Sequence, residues 1–188
     1  CLTRNASILS LEFPFPNCRP GQRELAVAAY RVLANGGRLF LAAPTGIGKT
    51  ISVLFPAIKA LGEGKLERIF YLTARTVGRA IAEKALVDLR RSGLKLRTVT
   101  LTAKGKVCVR EGHPCDPLTC PLAMGYYDRV KPAIREALAR EEITRAVLEA
   151  VGQKHQVCPF ELSLDVSVWA DAIICDYNYV FDPQVYLR

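Results

Sequence analysis

Apolar and polar residues alternate along the first hundred positions in segments that predict strands and helices in turn. Short apolar runs of the kind that form buried strands cover residues 38–42, 68–73 and 96–102. Apolar residues at helical spacing predict helices at 19–37, 51–61 and 75–91. Gly36 and Gly37 suit the end of the first helix, and Gly93 ends the third. Strands that alternate with helices imply a parallel sheet with right-handed crossovers, and therefore an α/β fold.

This alternation breaks at about residue 103. Residues 103–125 are rich in Gly, Pro, Cys and charge, and residues 131–151 predict one broken helix or two short helices that open at Pro132. An apolar run at 172–175 then predicts a strand that returns to the sheet. We therefore predict the first part of an α/β domain at 1–102, an insertion at 103–165 and a return to the domain at 166–188. An insertion of about 60 residues is marginal alone, so a bound metal centre would explain how it folds.

The stretch between the first predicted strand and the next helix reads APTGIGKT, residues 43–50. A strand, a tight loop and a helix in that order form the context of a phosphate-binding loop. Gly46 and Gly48 let the backbone approach an anion closely, and the amides of the first helical turn favour negative charge. Lys49 would reach the β- and γ-phosphates and Thr50 would bind Mg²⁺, whereas Ala43 stands where the usual pattern has Gly. The predicted nucleotide contacts in this loop are Ala43, Pro44, Thr45, Gly46, Ile47, Gly48, Lys49 and Thr50.

Gln22 lies at the start of the predicted helix upstream of this loop. An amide can donate and accept at once, which suits the adenine edge. A lone Gln at a helix start is usually only solvated, but the phosphate loop downstream makes Gln22 a candidate nucleotide contact.

Composition bears on the partner and on the compartment. The formal net charge is +8, which suits a polyanion, although a basic surface also serves solubility alone. No apolar run approaches the ~20 residues that span a bilayer, and no leader with a cleavage site is present. We therefore expect a cytoplasmic protein with no membrane partner. Because the chain starts at Cys1 rather than Met, we expect it to be a piece of a longer protein.

Four of the seven cysteines fall in the predicted insertion with the spacing C-x6-C-x4-C-x37-C, namely Cys108, Cys115, Cys120 and Cys158. Thiolates bind zinc and iron–sulfur clusters above all. Structural zinc sites usually draw ligands from CxxC pairs, which are absent here, whereas a cluster accepts more dispersed cysteines. Spacing favours iron–sulfur modestly and leaves zinc open. Four unligated buried cysteines fit less well, because Cys115 and Cys120 fall in a polar, Pro-rich loop. His113 and His155 are possible substitute ligands.

Together and in order, these segments resemble the first motor domain of an XPD/DinG-type iron–sulfur helicase of superfamily 2. The resemblance covers nearly all of the chain. It rests on PFPNCRPGQ, APTGIGKT, FYLTARTVGRA, the basic segment from Lys104 to Cys108, HQVCPFELS and ADAIICDYNYVFDP.

The resemblance implies an incomplete RecA-like parallel sheet with an inserted, partly helical iron–sulfur domain. It implies an ATP-dependent DNA helicase that moves on single-stranded DNA, 5′ to 3′, with Lys49 and Thr50 on phosphate and Mg²⁺. It also implies a [4Fe–4S] cluster on the four insertion cysteines. The protein is expected to be monomeric and, if the source is bacterial, associated with the nucleoid. The implied DNA contacts are Arg75, Thr76 and Lys104. Tyr126, Tyr127 and Arg129 would line a strand-separating surface or pack around the cluster.

One family feature is missing from this sequence. No DEAH-type acidic motif occurs in residues 1–188, and Asp176, which follows the returning strand, precedes Tyr rather than Glu. We interpret Asp176 as structural and expect this piece alone to be inactive. The alternatives are a zinc-containing nucleic-acid-binding P-loop NTPase without unwinding activity, and a P-loop kinase or signalling NTPase. The last class would need neither the four cysteines nor the basic balance.

Overall fold

The computed structural model describes residues 2–74, 76–110, 115–116, 118–185 and 187. Within these ranges the helices are α1 (Leu2–Leu9), α2 (Gln22–Asn35), α3 (Lys49–Gly62), α4 (Thr76–Arg91), α5 (Lys104–Val107), α6 (Tyr126–Leu138), α7 (Arg145–His155), α8 (Pro159–Ser167) and α9 (Asn178–Phe181). The strands are β1 (Ile69–Leu72), β2 (Thr98–Thr100), β3 (Glu142–Ile143) and β4 (Ala172–Cys175). None of these helices has both the length and the apolar character that crossing a membrane requires.

The chain divides into two compact units. The first contains residues 1–69 and 75–96, and the second contains residues 70–74 and 97–188. Each unit has its own buried core, and each is described by itself below.

The first unit is helical and is built around α3. Helices α1, α2 and α4 all pack against α3, which buries Ile51, Leu54, Ala57, Ile58 and Leu61. Gly62 makes the contact with α1 possible, because a Cβ at that position would lie 2.4 Å from Ile8 Cγ2. Lys59 Nζ donates to the carbonyl oxygens of Ile8 and Leu9 and so satisfies the free end of α1.

The second unit contains the sheet, except for Ile69 at the start of β1. The strand order is β1-β4-β2-β3. Strand β2 pairs in parallel with both β3 and β4, with Val99 opposite Ile143 on one side and Ile173 on the other. Helices α6, α7 and α8 pack on one another beside the sheet, and their core is apolar: Val99, Leu101, Val130, Ala133, Ala137, Ile143, Leu148, Leu162, Val166 and Ile173.

Three predicted strands are confirmed, β1 and β2 in shortened form and β4 with the predicted bounds. The predicted helices 19–37, 51–61 and 75–91 correspond to α2, α3 and α4. Gly36, with φ +74°, ends α2 as predicted. The predicted strand 38–42 is wrong. Phe40 is 92% exposed, and the sheet described here contains no neighbour for this segment. An apolar run becomes a strand only when another strand completes its hydrogen bonds.

Beyond residue 103 the structure differs from the prediction at two elements, α6 and β3. The predicted helix opening at Pro132 is wrong, because α6 begins six residues earlier, after Gly125 in the left-handed conformation, and Pro132 lies inside it. The two-helix alternative is confirmed by α6 and α7. Between them lies β3, a strand of two residues that the pattern did not predict and that forms the edge of the sheet.

Candidate functional site

The phosphate loop, residues 43–50, occupies the entry to α3 in the first unit. Gly46 and Gly48 have φ values of +87° and +86°, which residues with a side chain rarely adopt. Helix α3 begins at Lys49, directly after Gly48. Lys49 Nζ donates to the carbonyl oxygens of Ala43 and Pro44 at 3.0 and 2.8 Å. The ammonium group of Lys49 is therefore held by carbonyl oxygens of its own loop.

The start of α2 packs directly against this loop. Gln22 is 4% exposed, and its Oε1 accepts a hydrogen bond of 2.9 Å from the backbone N–H of Arg19. A Cβ at Gly48 would lie only 2.6 Å from Gln22 Nε2. The Arg19 guanidinium donates to the carbonyl oxygen of Gly46. The structure thus brings Gln22 to the loop, where its side-chain amide packs against the backbone at Gly48.

A cavity of about 780 Å³ opens over the loop, entirely within the first unit. Its walls include Phe15, Arg19, Gln22, Thr45, Lys49 and Thr50. Asp88 and Lys84 of α4 also line it and form an ion pair of 2.8 Å. No sequence signal distinguished these two residues, because an i, i+4 ion pair on a helix is common on any surface. The volume suits a ligand of nucleotide size.

The four insertion cysteines line one cavity in the second unit. This cysteine cavity has a volume of about 80 Å³ and is lined by Cys108, Cys115, Cys120 and Cys158. Cys108 directly follows α5, and Cys158 directly precedes α8 with Pro159 in the first helical turn. Segments 50 residues apart along the chain therefore converge here. Among the residues that the structure describes, no three His, Cys, Asp or Glu side chains form a group that could hold a single metal ion.

The thiols differ in their surroundings. Burial raises the pKa of Cys158. Burial also acts to raise the pKa of Cys120, but hydrogen bonds from the Leu122 and Ala123 amides and from Arg110 outweigh it, so that this pKa is lowered.

Lys104 faces the cysteines. Its ammonium group hydrogen-bonds to Cys115, which is the main reason why the pKa of Lys104 is raised. The same ammonium lies 3.6 Å from Glu161 Oε1 and 5.3 Å from the centre of the Phe160 ring. Its predicted contact with DNA stays a prediction, and the structure gives this lysine a second possible role beside the thiols.

The other candidate residues fall in different places. Arg75 and His113 lie outside the described residues. Thr76 is exposed at the start of α4. His155 Nε2 lies 2.8 Å from Glu136 Oε2, and His155 is not among the residues that line the cysteine cavity. Asp176 accepts a hydrogen bond of 3.0 Å from the N–H of Asn178, a local contact at the start of α9.

The aromatic pair after Cys120 is divided between core and solvent. Tyr126 is buried and donates a hydrogen bond of 2.8 Å to Asp165 Oδ2. Tyr127 is 81% exposed. The guanidinium of Arg129 donates to backbone carbonyls in the turn after Cys120 and in the segment before Cys158. Of the two tyrosines, only Tyr127 presents its ring to solvent.

The fold is α/β with a parallel sheet, and the loop before α3 has the sequence pattern of a phosphate-binding loop. Residues 72–187 match the family model described as DEAD_2, and the chain belongs to the DEAD_2 family.

The relatives are helicases by name. The general transcription and DNA repair factor IIH helicase subunit XPD of Dictyostelium discoideum is 25% identical over 206 residues, which cover 94% of this chain and 26% of that protein. A probable ATP-dependent helicase of Methanocaldococcus jannaschii is 30% identical over 112 residues, covering 59% of this chain and 16% of that protein. The regulator of telomere elongation helicase 1 homolog of Caenorhabditis elegans is 25% identical, covering 96% of this chain and 22% of that protein.

A solved structure titled XPD helicase matches with a TM-score of 0.63 and 18% identity, over 91% of this chain and 30% of that chain. This likeness concerns the fold. The predicted resemblance to the first part of an XPD-type helicase is confirmed. The chain spans about a quarter or less of the length of these curated relatives.

Proposed function

We propose that this chain is the nucleotide-binding and cluster-binding part of an ATP-dependent DNA helicase that moves on single-stranded DNA in the 5′ to 3′ direction. The observation that carries the proposal is the phosphate loop at the start of α3 with a cavity of about 780 Å³ above it. Membership of the DEAD_2 family and the helicase names of the relatives support it. The proposed location is the cytoplasm, on the nucleoid if the source is bacterial.

Nucleotide binding would use groups that now contact one another. Lys49 would exchange its two carbonyl partners, Ala43 and Pro44, for phosphate oxygens. The amides at the start of α3 would donate to the same phosphates, and the Thr50 hydroxyl would take a place beside Mg²⁺. Gln22 packs against Gly48 and also lines the cavity, so its amide would contact both the loop and an adenine base.

Turnover needs more than this cradle. Phosphoryl transfer to water also requires a carboxylate on Mg²⁺, a group that orients the attacking water, and usually an arginine that absorbs transition-state charge. An arginine finger alone contributes about 10³- to 10⁵-fold in rate. The 188-residue sequence has no DEAH-type motif. We therefore propose that the chain binds Mg·ATP weakly and that hydrolysis belongs to the full-length protein.

The test compares the 188-residue chain with the full-length protein, each with single-stranded DNA present. Stimulated ATP hydrolysis is expected from the full-length protein alone, and Lys49→Ala should abolish it. Robust DNA-stimulated hydrolysis by the 188-residue chain would show that a carboxylate such as Asp176 serves as the metal-binding acid and would overturn this division of roles.

We propose a [4Fe–4S] cluster as the resident group of the cysteine cavity, held by Cys108, Cys115, Cys120 and Cys158. The donor set fits, because four free cysteines from three separate stretches of chain line one small cavity, and such clusters take four cysteine ligands. The cluster would link the loop after β2 to the start of α8, in a region where the polar loop carries little apolar core of its own.

Metal analysis separates this proposal from its alternative. Anaerobically purified protein should be brown and contain both iron and acid-labile sulfide, and Cys108→Ser or Cys158→Ser should bleach it. Stoichiometric zinc without iron would instead identify a zinc-containing P-loop NTPase that binds nucleic acid without a cluster.

A further inference from the structure

Arg129 of α6 spans the two segments that carry Cys120 and Cys158. Its Nη2 donates to the carbonyl oxygens of Pro121 and Met124 at 2.9 and 2.8 Å. Its Nε donates to the carbonyl oxygen of Gln156 at 3.0 Å. The first two acceptors lie in the turn that follows Cys120, and the third lies two residues before Cys158.

A backbone contact joins the same two segments. The N–H of Cys158 donates to the carbonyl oxygen of Leu122 at 3.1 Å. The fork of a guanidinium can donate in several fixed directions at once, which suits it for joining carbonyl groups from different parts of a chain. Arg129 therefore adds three bonds to a junction that the backbone closes with one.

Two backbone positions next to this junction, Gly125 and Gln156, have positive φ values. Gly125 has φ +67°, and a Cβ there would lie 3.0 Å from Arg129 Nη1. Gln156 has φ +54°, the only positive φ among the described residues other than glycine, and it ends α7. A left-handed residue that is not glycine persists where surrounding contacts hold it. The bond from Arg129 to the Gln156 carbonyl is one such contact.

We propose that Arg129 is a positioning residue that fixes the distance between the Cys120 turn and the Cys158 segment before any cluster is bound. The inference rests on the proposed cluster for the identity of the ligand, and it gives Arg129 a role that contact with DNA does not require. Groups that orient metal ligands typically change metal retention by about 10- to 100-fold when they are removed.

Four variants of the full-length protein test this role. Arg129→Ala removes all three bonds, and Arg129→Lys retains the charge but not the fork. Gly125→Ala leaves Arg129 in place but crowds its guanidinium and strains the left-handed backbone at the start of α6. Arg135→Ala, on the exposed part of the same helix, makes the same charge change away from the cysteine cavity and is the matched control.

The first readout is the rate at which iron is lost to a chelator, followed by the fading of visible absorbance. Arg129→Ala and Gly125→Ala should lose iron at least about tenfold faster than the Arg135→Ala control. The rate for Arg129→Lys should fall between the rate for Arg129→Ala and the rate for the control. Iron loss from Arg129→Ala at the control's rate would overturn the proposal.

The second readout is hydrogen exchange in metal-free protein. Amides of residues 122–125 and 156–158 should exchange faster in Arg129→Ala and Gly125→Ala than in the control, while the amides of α3 are unchanged. Equal exchange in all variants would likewise overturn the proposal. If the unmodified protein holds no iron and sulfide, the proposed cluster fails, and the exchange readout still decides whether Arg129 positions the two segments.

Discussion

At the scale of single residues, two glycines of the phosphate loop separate backbone strain from crowding. Gly46 and Gly48 have nearly equal positive φ values, but a Cβ at Gly46 meets nothing within 4 Å, whereas one at Gly48 would lie 2.6 Å from Gln22 Nε2. Left-handed backbone costs a residue with a side chain about 1–2 kcal/mol, and Gly48→Ala adds a clash to that cost.

Gly48→Ala should therefore weaken Mg·ATP binding more than Gly46→Ala does. Titration of each variant with a fluorescent ATP analogue measures the difference. Gly48→Ala should cost less affinity when it is made in a Gln22→Ala background than in the unmodified protein, because the crowded partner is then absent. Equal affinities for the two single variants would show that α2 does not press on the loop.

Tyr126 provides a second residue-scale prediction. Its buried hydroxyl donates to Asp165. The pKa of Tyr126 is raised, mainly by burial and in addition by this hydrogen bond. Tyr126→Phe leaves the carboxylate without that donor and should cost about 1–2 kcal/mol in the free energy of unfolding of the second unit. Urea denaturation measures it. Tyr127→Phe, at an exposed ring, is the control and should leave the unfolding midpoint unchanged.

At the scale of elements, Glu136 joins α6 to α7. Its Oε2 lies 2.7 Å from Lys154 Nζ and 2.8 Å from His155 Nε2. These two partners, Lys154 first, hold the pKa of Glu136 below its ordinary value of 4.5. A carboxyl group with a lowered pKa stabilises the folded state above its unfolded pKa, and this stabilisation is lost as the pH falls through the folded pKa.

Glu136→Gln should therefore lower the stability of the second unit at neutral pH, and the difference from the unmodified protein should shrink below about pH 4.5. Denaturant midpoints at neutral pH and at acid pH measure this. Glu149→Gln breaks a pair within α7 alone, with Arg145, and serves as the control for a contact between helices. A difference that persists in acid would contradict the assigned cause.

The elements that sequence patterns predicted well are those with strong local signals. Helix α2 has an apolar face and ends at two glycines, and α3 begins where the phosphate loop requires it. Strand β3 has two residues, too short for any periodicity, and exists because β2 offers it an open edge. Residues 38–42 failed for the converse reason, since their apolar character was clear but no strand lies beside them.

The candidate sites show the same division. The position of the phosphate loop before α3 could be predicted from the sequence, because the motif consists of contiguous residues. The convergence of four cysteines on one cavity followed from clustering in the sequence, but their supports did not. Among the described residues, Arg129 bonds to backbone carbonyls alone, which every residue carries, so no pattern of side chains reveals its partners.

At the scale of the whole molecule, the two units carry separate chemistry. The phosphate loop and its cavity belong to the first unit, and the cysteine cavity belongs to the second. Cys158→Ser should therefore speed hydrogen exchange in the second unit while leaving the affinity of the first unit for Mg·ATP unchanged. Exchange mass spectrometry and ATP titration on the same preparation test this independence. A parallel loss of ATP affinity would show that the units depend on each other.

The net charge of +8 belongs to the whole molecule as well, and it bears on DNA. Contacts with phosphates release counterions, so binding to single-stranded DNA should weaken steeply with salt and show little sequence preference. Arg75→Ala should lower affinity and reduce the slope of log K against log salt by about one unit, because one phosphate contact is lost. Arg31→Ala makes the same charge change on α2 and should leave the slope unaltered. Filter binding at several salt concentrations measures both slopes, and equal slopes for the two variants would place the DNA path away from Arg75.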